Sequence, residues 1–279
     1  MKIGLHYSTT ANNNGPGKVA QNLIKGLHSL NIEVVPNEIC EYNGILQLNC
    51  KNIYNAPLNS FIGPNISVLP TEAAEVWKRY NSFNVPCQWV YDFYSLFEIT
   101  KNKSMHIWPV GIDTEKFCDL NQTKKYDVLI YCKNTKDKLP HVENFLKQLG
   151  LTYTVLVYGQ YNEDEFIFNV NASKCAILLT KTESQGIAYQ EILSMGVPCY
   201  VINKPVWDDY GIDVPASSVP YFDENCGIVE HDSNKFELFY NNIFKYNPRK
   251  YILDNLNLKK QAFSYVELIK GKIYVDELI

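Results

Sequence analysis

Leu178–Val201 reads LLTKTESQGIAYQEILSMGVPCYV. An apolar run, KCAILLT, ends at Thr180, a short polar segment follows, and the apolar residues after Gly186 recur at helical spacing before a second apolar run, PCYVIN. Strand, helix and strand in that order predict a βαβ unit and a parallel sheet. Glu183 falls at the carboxyl edge of the first strand, the side on which open α/β sheets bind ligands. Gly186 lets a ligand approach the backbone near the free N–H groups of Ile187 and Ala188. Glu191 follows about a turn and a half later, so two carboxylates can face one cleft with N–H groups between them. Carboxylates repel phosphate but accept hydrogen bonds from sugar hydroxyls. The pattern therefore suits a ligand with phosphate in the middle and hydroxyl-rich groups at both ends, such as a nucleotide sugar. Periodicity alone leaves the face of Glu191 open, and a helix-start charge at Glu183 with a surface Glu191 fits the spacing too.

Outward from this segment the alternation continues. KIGLHYS, IEVVP, GILQLN and SFIGPNI read as strands, with a helix opening near Gly17 or Lys18 between the first two. EAAEVWKRYNSF and CQWVYDFYSLFEI read as helices, and MHIWPVGIDTEKF as a connection between domains. A second series follows: YDVLIYC, TYTVLVYG, KCAILLT, PCYVIN and a late CGIVE as strands, with PHVENFLKQLG and NEDEFIFNVNAS among the helices. The segment from Ser233 reads as helical. Two Rossmann-like halves of similar size result.

The composition bounds the function. With 46% hydrophobic residues in 279, the chain can bury one large core or two smaller ones. The net charge of -4 gives no basic field to draw in nucleic acid or anionic lipid. No apolar run approaches the ~18 residues of a membrane span. The start MKIGLHYS lacks a signal-peptide core, which leads to the expectation of a cytoplasmic protein. The eight cysteines form no C-x-x-C pair, and the five histidines have no metal-ligand spacing, so reduced buried thiols and no metal site are expected.

Two further motifs have weaker signals. The loop NNNGPGKV between the first strand and helix, with Gly15 and Gly17, can present N–H groups to a phosphate, although it is neither G-x-G-x-x-G nor a Walker A loop. In YCKNTKDK, Lys133 ends a strand and Lys138 stands five residues on, so two ammonium groups at a sheet edge can neutralise a diphosphate. Each motif by itself equally fits an ordinary surface loop.

Taken together these residues carry a resemblance. ESQGIAYQEILSMGVPCYV is similar to the E-x7-E motif of retaining GT-B glycosyltransferases of the family 4 type, and WPVGIDTEKF resembles that family's interdomain segment. GPGKV resembles its Gly-rich first loop, and Lys133 with Lys138 its basic pair, where Arg more often stands first. The chain is identified as a compact member, with the match most specific over residues 106–230. The resemblance implies an α/β fold of two Rossmann-like parallel-sheet domains facing a cleft, with C-terminal helices packing back on the N-terminal domain. The implied domains are residues 1–115 for the acceptor and 116–262 for the nucleotide sugar, with 263–279 as the returning helix. It implies transfer of a sugar from a nucleoside-diphosphate sugar, UDP- or GDP-linked, to a hydroxyl of a glycan, lipid-linked or protein-linked acceptor, with retention and without metal or other cofactor. Glu191 would hold the ribose and Glu183 the donor sugar. Lys133 and Lys138 would neutralise the diphosphate, helped by backbone N–H groups at Gly186, Ile187 and Ala188 and by Gly15 and Gly17 across the cleft. The family often places a histidine near an N-terminal-domain strand end. LQLNC and FIGPN have none here, which leaves His6 and His106 as candidates by location. A GT-B sugar-nucleotide epimerase or inverting transferase, and a non-catalytic nucleotide-sugar-binding protein, share the fold. Nothing marks a nucleic-acid or membrane partner.

Overall fold

A computed structural model describes residues 1–8, 15–50 and 52–271. The chain divides into two compact units, Met1–Gly111 with the segment from Leu256 onward, and Ile112–Asn255.

The first unit begins with β1 (Lys2–His6), α1 (Gly15–Ser29), β2 (Glu33–Pro36), β3 (Tyr42–Gln47) and β4 (Phe61–Asn65). A 3-10 turn then leads into α2 (Ala74–Arg79), followed by β5 (Ser82–Val85), α3 (Gln88–Ser95) and β6 (Ser104–Ile107). The six strands form one parallel sheet in the order β2-β1-β3-β4-β5-β6. The order reverses between β1 and β3, the point at which such sheets open a ligand crevice.

Three expectations change here. The first helix opens at Gly15, so Gly15 and Gly17 lie in its first turn, and Thr9–Asn14 of the preceding loop lie outside the described residues. The segment EAAEVWKRYNSF is not one helix. Tyr80 turns extended, buries its ring and donates its hydroxyl to Ile53 O at 2.7 Å, which ends α2 and frees Ser82–Val85 to enter the sheet. Trp77 then stacks on Phe83 at 3.8 Å, a tertiary contact that had continued the helical apolar spacing by coincidence. The connection MHIWPVGIDTEKF likewise opens with β6, paired to β5.

The second unit holds β7 (Tyr126–Lys133), α4 (Leu139–Gln148), β8 (Tyr153–Val157), α5 (Glu163–Asn171), β9 (Ser173–Thr180), α6 (Ile187–Ser194) and β10 (Cys199–Ile202). A short antiparallel pair, β11 (Val206–Trp207) with β12 (Val214–Pro215), was not expected from the sequence. It precedes β13 (Gly227–Glu230), α7 (Phe236–Tyr240) and α8 (Pro248–Asn255). The main sheet is parallel in the order β13-β10-β9-β7-β8. Its switch point lies between β7 and β9, in register from Tyr126↔Ser173 to Lys133↔Thr180. Asn162 caps α5 in a reciprocal box with Glu165. Val128, Ile130, Cys175, Ile177, Tyr200 and Phe236 are among the buried residues of the core under α4 and α7.

The chain returns to the first unit through α9 (Leu258–Ile269), which lies against α1 where Gly26 has no side chain to obstruct it: a Cβ there would be 2.7 Å from Leu258 O. Trp108 is buried and donates to Gln261 O at 2.9 Å, which explains the tryptophan of WPVG. The expected domain start at residue 263 thus falls inside α9, and residues 272–279 lie outside the described residues. Cys40 and Cys118 are half-buried free thiols, and the other six cysteines are buried and free. Among the described residues no helix is long and apolar enough to cross a membrane.

The amino end of the second sheet is fastened by Asp127. Its carboxylate accepts from Thr152 N, Thr152 Oγ1 and the Tyr240 hydroxyl at 2.6–2.8 Å and pairs with Lys174 at 2.7 Å. Burial opposes ionisation, but the bonds from Lys174, Thr152 and Tyr240 outweigh it and hold the carboxyl well below the usual range. A carboxyl depressed in the folded state adds stability above its unfolded value near ~3.9 and loses that contribution as pH falls. Asp127→Asn is therefore expected to cost about 2 kcal/mol at pH 7, the scale of bonds to a charged group. Thermal melts of both proteins should show the gap narrowing below about pH 4; a gap independent of pH would refute the ionic account.

Candidate functional site

The carboxyl edge at the β7/β9 switch point gathers the charged residues picked out in the sequence. Lys133 closes β7, and Glu183 stands three residues past β9. They meet as an ion pair with Nζ 2.7 Å from Oε1 and 2.9 Å from Oε2, their side chains 25% and 13% exposed. Fifty residues of sequence separate them, and the parallel register brings them together. Burial pushes the Glu183 carboxyl above the ordinary carboxylate range, and Lys133 pulls against that shift without cancelling it. The backbone of Glu183 is held by its N–H donating to Ser217 O at 2.9 Å, in the long connection between β10 and β13.

Around the pair lie residues that the sequence reading did not select. The ring of Tyr158, just beyond β8, lies under the Lys133 ammonium with its centroid 4.9 Å away. Thr135 Oγ1 donates to Leu179 O at 2.7 Å and locks the loop after β7 onto β9. The available signal for both was position: each lies within two residues of a strand end at the edge where ligands bind. Ser217 carried no signal, because only the path of the β10–β13 connection places it there.

Gly186 caps α6 with a left-handed backbone, φ +72. The N–H groups of Ile187 and Ala188 have no acceptor within the helix and lie at its positive end, before Gln190 N closes the first turn on Gly186 O at 3.3 Å. Behind them the helix start is braced. Gln190 Nε2 donates to Gln185 O at 2.7 Å, and the Tyr189 hydroxyl accepts from Tyr221 N at 3.0 Å. Arg249 of α8 donates to Ser194 O, Phe117 O and Thr114 O and so holds the far end of α6.

Glu191 is 2% exposed, which settles the face that periodicity left open: it points into the protein rather than out to water. Burial pushes the Tyr161 phenol up to about 12, with the Tyr131 hydroxyl opposing and the charge of Glu191 adding to the rise, so Glu191 sits within electrostatic reach of the β8–α5 loop. Lys138 is exposed at the start of α4 and makes no ion pair among the described residues. Gly15 and Gly17 belong to the first unit. Of the two histidines, His6 ends β1 buried, with Nε2 3.4 Å from Asn43 Oδ1 and Nδ1 accepting from Asn52 Nδ2 at 3.2 Å. Burial lowers its imidazole below the ordinary value, against the pull of Asn43. His106 bonds Ser104 on β6. Among the described residues no group of three or more His, Cys, Asp or Glu is placed to hold a metal ion.

The arrangement thus offers one ammonium, one carboxylate and a helix N-terminus at a single sheet edge, which can receive an anion and a hydroxyl side by side.

No protein-family model matches the chain, and no curated protein matches it. Among solved structures it is similar to the sucrose-phosphate synthase of Thermosynechococcus elongatus, with a TM-score of 0.60 and 10% identity over 97% of this chain and 98% of that one. It is also similar to the pneumococcal O-GlcNAc transferase GtfA, solved in complex with UDP and GlcNAc, with a TM-score of 0.49 and 10% identity. The match covers 93% of this chain but 61% of GtfA, so the chain spans about three fifths of that protein. The likeness to the synthase is one of fold: two Rossmann-like parallel-sheet domains of the GT-B type.

Proposed function

We propose that the chain is a glycosyltransferase that moves a sugar from a nucleoside-diphosphate sugar to an acceptor hydroxyl, with retention of configuration and without a metal. The observation that carries this reading is the Lys133–Glu183 pair at the carboxyl edge of the β7/β9 switch point, beside the Gly186 start of α6. The fold shared with a sucrose-phosphate synthase is consistent with it.

On this reading the diphosphate of the donor displaces Glu183 as the anionic partner of Lys133. Glu183 is then released to accept hydrogen bonds from the donor sugar. Glu191, buried in α6, takes the ribose hydroxyls. The bond between the anomeric carbon and the phosphate oxygen breaks, and the acceptor oxygen bonds that carbon from the same face. The acceptor proton passes to the leaving phosphate. Negative charge grows on the diphosphate in the transition state, where Lys133 and the N–H groups at the start of α6 stand ready before reaction and, with Lys138 brought in from solvent, lower the barrier. Those groups supply the positive charge that a metal provides elsewhere, and turnover should persist in chelator.

The direct test is thermal unfolding with UDP, GDP, ADP, CDP and TDP in the presence of chelator. A ligand at ~100 times its dissociation constant adds about 2.7 kcal/mol, or roughly 2 to 4 °C per kcal/mol for a chain of this size. One base should stand out and select the nucleotide sugars for turnover assays. No shift with any nucleoside diphosphate or its sugar derivatives would reject the reading.

A further inference from the structure

Lys133 stands at the end of β7, a strand with β9 on one side and β8 on the other. From the β9 side comes Glu183, whose carboxylate holds the ammonium at 2.7 and 2.9 Å. From the β8 side comes Tyr158. The register of β7 with β8 ends at Cys132↔Val157, and Tyr158 N donates to Cys132 O at 2.9 Å. That bond carries the ladder one residue further and sets Tyr158 beside Lys133. The Lys133 ammonium lies over the Tyr158 ring, 4.9 Å from its centroid. It therefore has an anion on one flank and an aromatic face on the other.

Core packing does not account for this ring. Tyr158 is 45% exposed, whereas Tyr131 on the adjoining strand is 1% exposed. A ring left half in water gains little from burial, and what it offers a lysine is the negative face of its π-system. Lysine carries a compact charge on a flexible stem, so it points in one direction only when something holds it there. Glu183 does so in the ligand-free protein. It cannot continue once a phosphate has taken its place, and a carboxylate that moves away draws its ammonium along. An aromatic face attracts the cation without net charge of its own, so it does not repel an incoming phosphate.

We propose that Tyr158 is the positioning residue of Lys133: its ring keeps the ammonium at the sheet edge while the anionic partner changes from Glu183 to the donor diphosphate. This role rests on the donor reading given above. A contact between a cation and a ring is stronger where water is excluded than at an exposed site. A bound nucleotide excludes water from the edge and so strengthens the contact, and the ring adds to nucleotide affinity through Lys133 without touching the ligand. The face of the ring is what acts, and the hydroxyl is not needed. Phenylalanine would serve in its place, and leucine, apolar but without a π face, would not.

The test is calorimetric titration of the full chain with UDP, GDP, ADP, CDP and TDP in chelator. The proteins are native, Tyr158→Leu, Tyr158→Phe, Lys133→Met and the double variant Lys133→Met with Tyr158→Leu, the weaker Lys133→Met pair being read by thermal shift at high nucleotide. Tyr158→Leu should weaken the best-bound nucleoside diphosphate by about 3- to 10-fold, the gain in such a contact when water is excluded. Tyr158→Phe should recover the affinity. Because the ring is half-exposed, Tyr158→Leu should leave the ligand-free midpoint within about 2 °C of native, so that weaker binding does not reflect a lost fold. In the Lys133→Met background the change from tyrosine to leucine should have no effect, because the group it positions is gone. Unchanged affinity in Tyr158→Leu overturns the proposal, as does Tyr158→Phe binding as weakly as Tyr158→Leu. So does a loss that persists in the Lys133→Met background, which would make the ring a direct contact of the ligand. Each of these outcomes leaves the donor reading standing, since the native protein binds. Native protein that binds none of the five removes the donor reading and this role with it.

Discussion

Glu183→Ala is expected to lower turnover by about 10²–10³-fold, the range for removing one preorganised polar contact in a transition state, and to leave nucleoside-diphosphate binding intact or tighter. The direction for binding follows from the ion pair. Glu183 is the anion that Lys133 holds at 2.7 Å, so a phosphate must compete with it. Removing the carboxylate leaves the ammonium half-buried without that partner and available to the diphosphate. Glu183→Gln keeps an acceptor for sugar hydroxyls and should lie between the two in turnover. Lys133→Met should show the opposite pattern, with weakened nucleoside-diphosphate binding and a Glu183 carboxyl raised further for want of its ammonium. The measurements are steady-state rates with the nucleotide sugar selected by thermal shift, and calorimetric titration with its nucleoside diphosphate. Unchanged turnover in Glu183→Ala would remove the role assigned to that residue. Loss of nucleotide binding in the same variant would mean that Glu183 shapes the pocket rather than the reaction.

Gly186→Ala should cost about 2 to 5 kcal/mol. Two separate effects contribute. At φ +72 an L side chain carries the left-handed penalty of ~1–2 kcal/mol. The added Cβ would also lie 1.9 Å from Tyr189 Cε1. That ring is buried, and its hydroxyl is tied to Tyr221 N and Gln190, so it cannot swing aside; overpacking of this kind costs ~1–3 kcal/mol. The midpoint should fall by roughly 4 to 20 °C. Gly150→Ala separates the two effects. Gly150 also has positive φ, +68, but a Cβ there meets nothing within 4 Å, so only the backbone cost should appear. Equal losses in the two variants would refute the rigid contact between Gly186 and Tyr189.

Much of this molecule was legible in one dimension because local chemistry and short-range spacing were enough. The run from Leu178 to Val201 folds as strand, helix and strand, because apolar periodicity changes at the glycine where the backbone must turn left-handed. The late strand CGIVE and the capped helix at Asn162 follow from the same local rules. Where a tertiary contact decided, the reading failed: Tyr80 leaves the helix to bury its ring, and the strand that follows was hidden by apolar residues that fit either period.

The sequence by itself determined two parallel α/β sheets and the residue types available at their edges, since strand alternation and βα turns are set within about twenty neighbours. Only the tertiary structure decided which of those residues meet. Parallel pairing of β7 with β9 joins Lys133 to Glu183 across fifty positions, and the burial of α6 turns Glu191 inward. Pairing of β7 with β8 sets the Tyr158 ring against the same lysine. Register and burial depend on how whole elements pack, and the spacing of residues along a strand or helix does not contain that information.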